Sequence, residues 1–575
     1  MFTEKKTSLF EVPSKRGKNA PTKGVSSSNA FVNAGFKKTA ETVSGNGALK
    51  YSSSGNDFVD QFSSMSKYRA PRPFGDIAKD MATLVAINLR LAIAFVIFLR
   101  IVTRVVSLFN GVKTSVVQRG AGLKHESIIR FMWLGIYKRD VFYKNLHLLV
   151  SAGSWNDVIY MLQYDLIHNG WKDRSLDWGF IGKFILAGLE NPKTSNLMKK
   201  YLPQLKSRSN CKTVEAQADN LIAKWICSLL FGEKESSYSY KKYRLLKTSG
   251  NAHEWQKLIS KGKMLEINFD TIHGRALSQL VSSKFLSKNG LIDAYSVWIA
   301  NKPVAKFTGY VSELALNIKS GMAKYLFDTI NAQFNMLVET ARKNLASQGL
   351  RPISVMDCSG SMDSLMYIGD GKVGKLKSIQ LAFSSAIFFN ECMNTNSPFY
   401  NVYLSFSNKT EMHKFTGGNF VEKYRTTPKN GNGGTNFESV FDFFVDFRVN
   451  NPNVSEDQIP NFIVCFSDGE FNAVRGRIAT NVEAGRNKLK RVYSAEFAEN
   501  FGICFIETPN TFYGRPNGQK FETFGNVKNV FYFSGYDLSP LAFLFGVEGQ
   551  TSPPTTAEEL FEASMNQEII NMIEL

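Results

Sequence analysis

The sequence contains few cysteines and no long uninterrupted apolar run. Its cysteines are Cys211, Cys227, Cys358, Cys392, Cys465 and Cys504. They include no CxxC pair, and the N-terminal stretch has no apolar signal segment, so we expect a reducing, cytoplasmic setting.

The most apolar stretch, residues 84–102, contains Arg90 and Arg100, which leave only residues 91–99 uninterrupted. A membrane-spanning helix needs about 20 apolar residues. We therefore expect a buried helix here and no membrane partner.

Motifs of common enzyme classes are also missing. The six histidines form no HExxH pattern, and the sequence contains no GxSxG or Cys–His arrangement. Residues 369–376 resemble the phosphate-binding pattern GxxxxGK[ST], but Leu376 stands where the pattern requires a hydroxyl for Mg²⁺. We therefore expect a protein that is not an enzyme and that binds no ATP at this loop.

Charge is divided unevenly along the chain. Residues 1–350 contain 50 Lys and Arg against 25 Asp and Glu, whereas residues 351–575 contain 19 against 25. The net charges of these two parts are therefore +25 and −6. The first part should attract a polyanion such as RNA, DNA or an acidic surface, and the second part should not.

The pattern of residues predicts two regions before residue 349. Residues 1–57 are rich in Ser, Gly, Asn and Lys, which indicates a flexible basic N-terminal arm. Residues 58–348 contain successive apolar stripes at helical spacing, separated by short polar turns. Many helices in succession predict helical hairpins stacked as HEAT-like repeats in a solenoid or ring. No fixed-period repeat is visible in the sequence.

Residues 349–575 alternate between short apolar runs and amphipathic stretches. The predicted strands are residues 352–357, 399–406, 462–468, 502–508 and 529–534, and the predicted helices are residues 375–393, 436–449 and 479–499. This alternation predicts a doubly wound, Rossmann-like domain with a mostly parallel sheet. Ligands of such sheets bind at the carboxyl ends of the strands. The complete prediction is a helical-repeat domain followed by an α/β domain.

Hydroxyl and carboxylate side chains cluster at these predicted strand ends. Asp357, Ser359 and Ser361 form a DxSxS pattern after the first strand. A Gly-rich loop supplies Thr435 just before a helix, and Asp468 ends another strand. Oxygen ligands converging in a tight loop suit a hard cation such as Mg²⁺. The same residue types also cap helices at such turns, but capping does not account for the three elements together.

This constellation resembles the MIDAS motif of the von Willebrand factor A family. The resemblance implies a divalent cation, Mg²⁺ or Mn²⁺. Asp357, Ser359, Ser361 and Thr435 would bind the cation directly, and Asp468 would bind it through water. In that family the cation keeps an open position that an acidic group of a partner protein fills. The resemblance therefore implies a binding function for this region.

The helical part shows a second resemblance. Residues 146–162, 221–226, 239–247 and 253–280, in this order and followed directly by the α/β region, are similar to the TROVE-domain family, which includes the Ro autoantigen. In that family the helical repeats close into a ring. Its basic inner surface holds single-stranded ends of misfolded noncoding RNA, and its outer face binds small structured RNAs. The resemblance covers roughly residues 58–575 and implies an RNA-binding scaffold.

Two clusters in the basic part combine cationic and aromatic side chains. The cations are Lys241, Lys242, Arg244 and Lys247 beside Tyr238, Tyr240 and Tyr243, together with Lys172 and Arg174 beside Trp171. Aromatic rings stack on unpaired bases and cations contact phosphates. Each cluster taken alone also fits a solvated helix face whose aromatic rings point into the core. The positive charge of the whole region favours RNA.

Two functions remain open at this point. The first is a non-enzymatic RNA-binding protein, or ribonucleoprotein component, that also carries a metal-dependent domain for partner binding. The second is a metal-dependent protein-interaction or assembly module, such as a virus-encoded or particle component, in which nucleic-acid binding is incidental.

Overall fold

A computed structural model describes most of the chain in segments separated by gaps. The described residues are 41–43, 49–51, 54–64, 72–107, 115–169, 174–206, 211–232, 236–250, 254–272, 274–307, 309–342, 350–368, 372–393, 395–469, 471–472, 480–508, 527–534, 544 and 554–575. Residues 1–40, most of the predicted arm, lie outside them. Within the rest of the arm, β1 (Glu41–Val43) pairs with β2 (Leu49–Tyr51) in an antiparallel ladder.

Helices dominate the chain before residue 350, as the apolar periodicity predicts. They are α1 (Asp57–Ser64), α2 (Phe74–Ile87), α3 (Leu89–Arg100), α4 (Lys124–Tyr137), α5 (Arg139–Ala152), α6 (Trp155–His168), α7 (Trp178–Glu190), α8 (Ser195–Tyr201), α9 (Val214–Phe231), α10 (Ser237–Ser249), α11 (Glu254–Ser260), α12 (Gly274–Ser282), α13 (Phe285–Lys288), α14 (Ile292–Ala300), α15 (Val311–Ala315) and α16 (Lys324–Arg342). Two antiparallel strands that the sequence pattern did not predict, β3 (Val102–Ser107) and β4 (Ser115–Ala121), separate α3 from α4.

Helix α3 contains residues 91–99, the uninterrupted apolar run, and its residues 92–100 are all buried. It begins after Asn88, whose side chain accepts a hydrogen bond of 3.0 Å from the Leu91 N–H. This cap divides residues 84–102 between two helices. The predicted burial is confirmed for residues 92–100, but the stretch does not form one helix, and Ile87 at the end of α2 is 57% exposed. In the described part of the chain, no helix is both long enough and apolar enough to cross a membrane.

A six-stranded, mostly parallel sheet follows residue 350, as predicted. Its strands, in spatial order, are β12 (Val530–Ser534), β11 (Gly502–Glu507), β10 (Phe462–Ser467), β5 (Pro352–Asp357), β8 (Val402–Phe406) and β9 (Thr410–Lys414). All neighbouring pairs are parallel except β8 and β9. The antiparallel edge strand β9 was not predicted, because its sequence TEMHK is polar and lacks an apolar alternation. A separate two-stranded hairpin is formed by β6 (Leu365–Ile368) and β7 (Lys372–Lys377).

Helices cover both faces of the sheet. The helices of this part of the chain are α17 (Ser378–Cys392), α18 (Phe420–Thr426), α19 (Glu438–Asn450), α20 (Asn481–Leu489), α21 (Ala495–Asn500), α22 (Ala557–Met565) and α23 (Glu568–Asn571). Successive residues of a strand point to opposite faces. Met356 and Val464 therefore join the large core that extends into the helical part, whereas Val355 and Ile463 join a second core under α19 and α20.

The C-terminal segment packs on the helical part, across the predicted boundary at residue 349. The ring of Phe561 in α22 lies 5.6 Å from the ring of Phe58 and 5.5 Å from that of Phe62, both in α1. Farther along the C-terminal segment, the backbone of Glu574 is bound by the Asn145 side chain of α5. This side chain donates to the Glu574 carbonyl (2.6 Å) and accepts from the Glu574 N–H (3.0 Å). The change from helices to alternating strands and helices therefore does not coincide with a change of hydrophobic core.

Candidate metal centre and basic helix

The candidate metal centre lies where the strand order of the sheet reverses. From the central strand β5 the chain moves to β8 and β9 on one side, and then returns to β10 on the other side. Strands β5 and β10 are parallel neighbours in which Phe466 pairs with Met356. Asp357 and Ser467 each come one residue later, so both strands end at the same edge. This edge is the crevice in which open α/β sheets bind ligands.

Asp357 is fully buried and its two carboxylate oxygens have different neutral donors. One oxygen accepts the backbone N–H of Ser359 at 2.9 Å, and the other accepts the Ser467 hydroxyl at 2.5 Å. The Ser467 oxygen in turn accepts the N–H of Gly469 at 3.0 Å. Ser467 therefore holds both the Asp357 carboxylate and the turn that carries Asp468. The sequence shows a hydroxyl beside Asp468 at the end of an apolar strand, but it does not show that this hydroxyl contacts Asp357.

The two acidic side chains repel each other in a buried setting. Burial raises the pKa of Asp357 to about 7, and the nearby Asp468 carboxylate contributes to the same shift. Asp468 itself is 3% exposed. Two negative charges held close together in a low-dielectric site are stabilised by a positive ion between them.

The serine hydroxyls of the DxSxS pattern lie side by side. After β5 the chain enters a short 3₁₀ turn, Gly360–Asp363, which brings the Ser359 and Ser361 hydroxyl oxygens to 3.2 Å. Ser359 is buried and Ser361 is half-buried. At its end this turn is joined to β7 by an ion pair of 2.7 Å between Asp363 and Lys377.

The loop that carries Thr435 is attached to the DxSxS loop by backbone hydrogen bonds. The Asn432 N–H donates to the Cys358 carbonyl at 2.8 Å, and the Gly360 N–H donates to the Gly433 carbonyl at 3.2 Å. A side chain at Gly431 would place its Cβ 2.2 Å from the Ser359 carbonyl oxygen, so only glycine allows this approach. The glycines predicted to form a loop therefore serve to bring two polar loops into contact.

Asn408, which no sequence pattern marks, holds the same loop from the other side. Its side-chain oxygen accepts the Gly434 N–H at 2.9 Å, and its carbonyl accepts the Asn436 side-chain N–H at 3.1 Å. These bonds flank Thr435, which is 3% exposed. A turn asparagine between two strands has no distinctive sequence signal, because asparagine is common in turns.

The structure thus places the five residues of the predicted metal site at one edge of the sheet. Their side chains provide carboxylate and hydroxyl oxygens, which are suitable ligands for Mg²⁺ and Mn²⁺. The phosphate-loop look-alike has a different context. Its described residues Lys372–Lys377 form strand β7, and the following helix α17 begins only at Ser378. This hairpin differs from the strand-loop-helix arrangement that cradles phosphates.

Parts of the chain are similar to proteins without an assigned function. Residues 351–567 match a family model described as "Domain of unknown function (DUF7788)". This match contains all five predicted metal-site residues. Over 149 residues the chain is 28% identical to "Uncharacterized protein L728" of Acanthamoeba polyphaga mimivirus. The aligned region covers 25% of this chain and 23% of that protein, so the chain spans about a quarter of the relative's length.

The predicted RNA-binding residues divide into exposed and anchored groups. Lys241, Lys242 and Arg244 are exposed on α10. Lys247 instead donates to the Lys200 carbonyl at 3.2 Å and to the Leu202 carbonyl, and burial lowers its pKa.

The second predicted cluster lies before α7. Arg174 is exposed, and its guanidinium lies 4.2 Å from the centre of the Trp178 ring. Lys172 and Trp171 lie outside the described residues. In the described part of the chain, the exposed predicted cations therefore come from two separate elements.

Proposed function

We propose that this protein is a non-enzymatic RNA-binding protein similar to the TROVE-domain family. Its C-terminal part would be a von Willebrand factor A domain that binds a protein partner through a divalent cation. The observation that carries the RNA-binding proposal is the segregation of charge. The part before residue 351 has a net charge of +25, and the rest has −6. Proteins bind RNA largely through cations that neutralise phosphates.

The arrangement of the sheet supports the proposal for the C-terminal part. A mostly parallel six-stranded sheet, with polar loops at the carboxyl ends of its central strands, is compatible with a von Willebrand factor A domain. Helices α1 to α16 are likewise compatible with a helical-repeat scaffold.

The donor set at the strand ends fits a hard divalent cation. Asp357, Ser359, Ser361 and Thr435 would hold Mg²⁺ or Mn²⁺ directly, with Asp468 acting through water. The cation would supply a positive, open position for an acidic group of a partner protein. The neutral donors Ser467 and the Ser359 N–H keep the Asp357 carboxylate in one orientation. Since that orientation exists before a cation arrives, little side-chain freedom is lost on binding.

One comparison of the full chain with its Asp357→Ala variant tests both parts. Filter binding of an RNA with a single-stranded end should exceed that of a neutral control protein at near-physiological salt. The affinity should fall steeply as salt rises, because binding releases counterions. The variant should bind the RNA equally well.

Mn²⁺ should raise the melting temperature of the unmodified chain by a few degrees, an effect of roughly 3 kcal/mol at 100-fold excess over Kd. The variant should lose this rise.

The outcomes separate the two functions that the sequence left open. An absence of RNA binding above the neutral control would overturn the RNA-binding proposal. With the cation effect retained, that result would leave a metal-dependent interaction or assembly module. An equal effect of Mn²⁺ on both proteins would overturn the proposed cation site.

A further inference from the structure

Helix α10 has one face that anchors it to the protein. Tyr243 is fully buried, and its hydroxyl donates to the Pro203 carbonyl at 3.0 Å. One turn later, Lys247 donates to carbonyls at the C-terminal end of α8, including that of Lys200. These carbonyls have no partner within their own helix, so a cation there is favourable. Tyr243 and Lys247 are therefore structural, although they belong to the same sequence cluster as the exposed cations.

The opposite face of α10 is open and positively charged. Tyr238 is 67% exposed and Leu245 is 60% exposed. Lys241, Lys242 and Arg244, which come between these two residues in the sequence, are also exposed. No acidic residue occurs among the 13 residues of the helix. An exposed aromatic ring among exposed cations, with no acidic residue in the same helix, is the combination of side chains that binds single-stranded nucleic acid.

Lys242 lies beside two aromatic rings at this surface. Its ammonium is 4.4 Å from the centre of the Tyr238 ring and 5.8 Å from that of Phe231. A cation near one face of an aromatic ring is attracted to it and leaves the other face available. Since Tyr238 is largely exposed, a planar base can stack on its ring while Lys242 remains within reach of the adjoining phosphate.

We propose that this face of α10 is a nucleotide-stacking platform for single-stranded RNA. An unpaired base stacks on Tyr238, and Lys241, Lys242 and Arg244 contact the flanking phosphates. The proposal rests on the RNA-binding function proposed above and assigns that function to one helix. A base inside a duplex cannot present its face to Tyr238. An acidic protein would be attracted by the cations but gains nothing specific from the stacked ring.

The test compares substitutions at Tyr238 in the full chain. A fluorescent single-stranded oligonucleotide of RNA serves as the probe, measured by anisotropy. Tyr238→Leu should weaken binding about tenfold, because loss of base stacking is of this order. Tyr238→Phe retains the ring and should bind within about twofold of the unmodified chain. The exposure of Tyr238 predicts that both variants keep the original melting temperature.

A charge-matched pair tests the contribution of the cations. Lys242→Glu should weaken binding more than Lys414→Glu, which makes the same charge change at an exposed residue of strand β9. A larger effect of Lys242→Glu supports the platform. Equal effects of the two substitutions would indicate attraction by net charge alone and would overturn it.

The outcomes distinguish the platform from the broader function. If the unmodified chain binds no RNA, both proposals fail. If it binds RNA and Tyr238→Leu binds equally well, the platform alone is overturned. Duplex RNA of the same sequence should be insensitive to Tyr238→Leu. Competition by polyglutamate that matches competition by unlabelled RNA would assign the surface to acidic proteins and also overturn the platform.

Discussion

At the scale of single residues, the candidate metal centre combines buried negative charge with neutral hydrogen-bond donors. Asp357 is fully buried beside Asp468, and its carboxylate is oriented by the Ser467 hydroxyl and the Ser359 N–H. These donors fix the carboxylate without neutralising it. A cation can therefore still gain from the negative charge. Groups that orient a metal ligand often affect metal affinity although they never touch the ion.

Ser467→Ala tests this orienting role. Removing the hydroxyl leaves one Asp357 oxygen without its 2.5 Å donor. We expect Mn²⁺ to bind about 10- to 100-fold more weakly, the usual cost of losing an orienting partner of a metal ligand. Isothermal titration calorimetry measures the change. Ser384→Ala is the matched control, because it removes a buried serine hydroxyl that bonds to the Leu381 carbonyl within α17. Equal Mn²⁺ affinities of the two variants would contradict the orienting role.

The residues of the site were predictable to different degrees. Asp357, Ser359, Ser361, Thr435 and Asp468 stand in recognisable patterns at predicted strand ends. Asn408 and Ser467 did not emerge from the sequence. Asn408 contributes through two hydrogen bonds to the distant loop that carries Thr435, and Ser467 contributes through one to Asp357 on another strand. Sequence spacing carries no information about such contacts.

At the scale of elements, apolar patterns predicted the central strands well and the breaks between helices poorly. The single helix predicted over residues 479–499 is divided into α20 and α21. Helix α20 ends at Leu489, and Ser494 starts a new helix by accepting the Phe497 N–H at 3.1 Å. Serine is common in helices as well as at their ends, so its capping role depends on the local backbone.

Helices α4 and α6 bring two histidines close together, and this arrangement predicts a dependence of stability on pH. His168 stacks on Tyr164 at 3.9 Å. Burial, and then the charge of His125, lower the pKa of His168 below its ordinary value of 6.5. The unfolded chain therefore takes up a proton first as the pH falls below about 6.5, and the folded protein loses stability in that range.

Chemical denaturation of the unmodified chain and of His168→Gln at about pH 7.5 and 5.5 measures this effect. The unmodified chain should lose more of its free energy of unfolding at the lower pH than the variant does. His147→Gln, on α5, controls for removal of a histidine elsewhere in the helical part. An unchanged pH dependence in His168→Gln would show that this histidine is not responsible.

At the scale of the whole molecule, the two differently charged parts share a hydrophobic core. The large core contains α3 as well as residues of the sheet and of the C-terminal segment. Phe561 of α22 contacts α1 through Phe58 and Phe62, and it contacts α3 through Phe95 at 6.0 Å. The C-terminal segment therefore stabilises the helical part as well as the sheet.

Phe561→Ala tests this coupling, because all seven tryptophans lie before residue 350 and report only on the helical part. Truncating a buried phenylalanine costs about 3–5 kcal/mol. We expect the denaturation midpoint followed by tryptophan fluorescence to fall, although residue 561 is far from every tryptophan in sequence. Met572→Ala, in the same segment at a side chain that is 42% exposed, should leave the midpoint unchanged. If Phe561→Ala left the denaturation midpoint followed by tryptophan fluorescence unchanged, the two parts would unfold independently.

The sequence alone determined the local features of this protein. Apolar spacing determined the helices before residue 350 and five strands after it, and the residue counts determined which part carries the net positive charge. Tertiary structure decided which members of each cluster are available. It buried Tyr243 while exposing Tyr238, and it placed Ser467 against Asp357. The physical reason is that periodicity depends on residues near in sequence, whereas exposure and hydrogen bonding depend on residues brought close by packing.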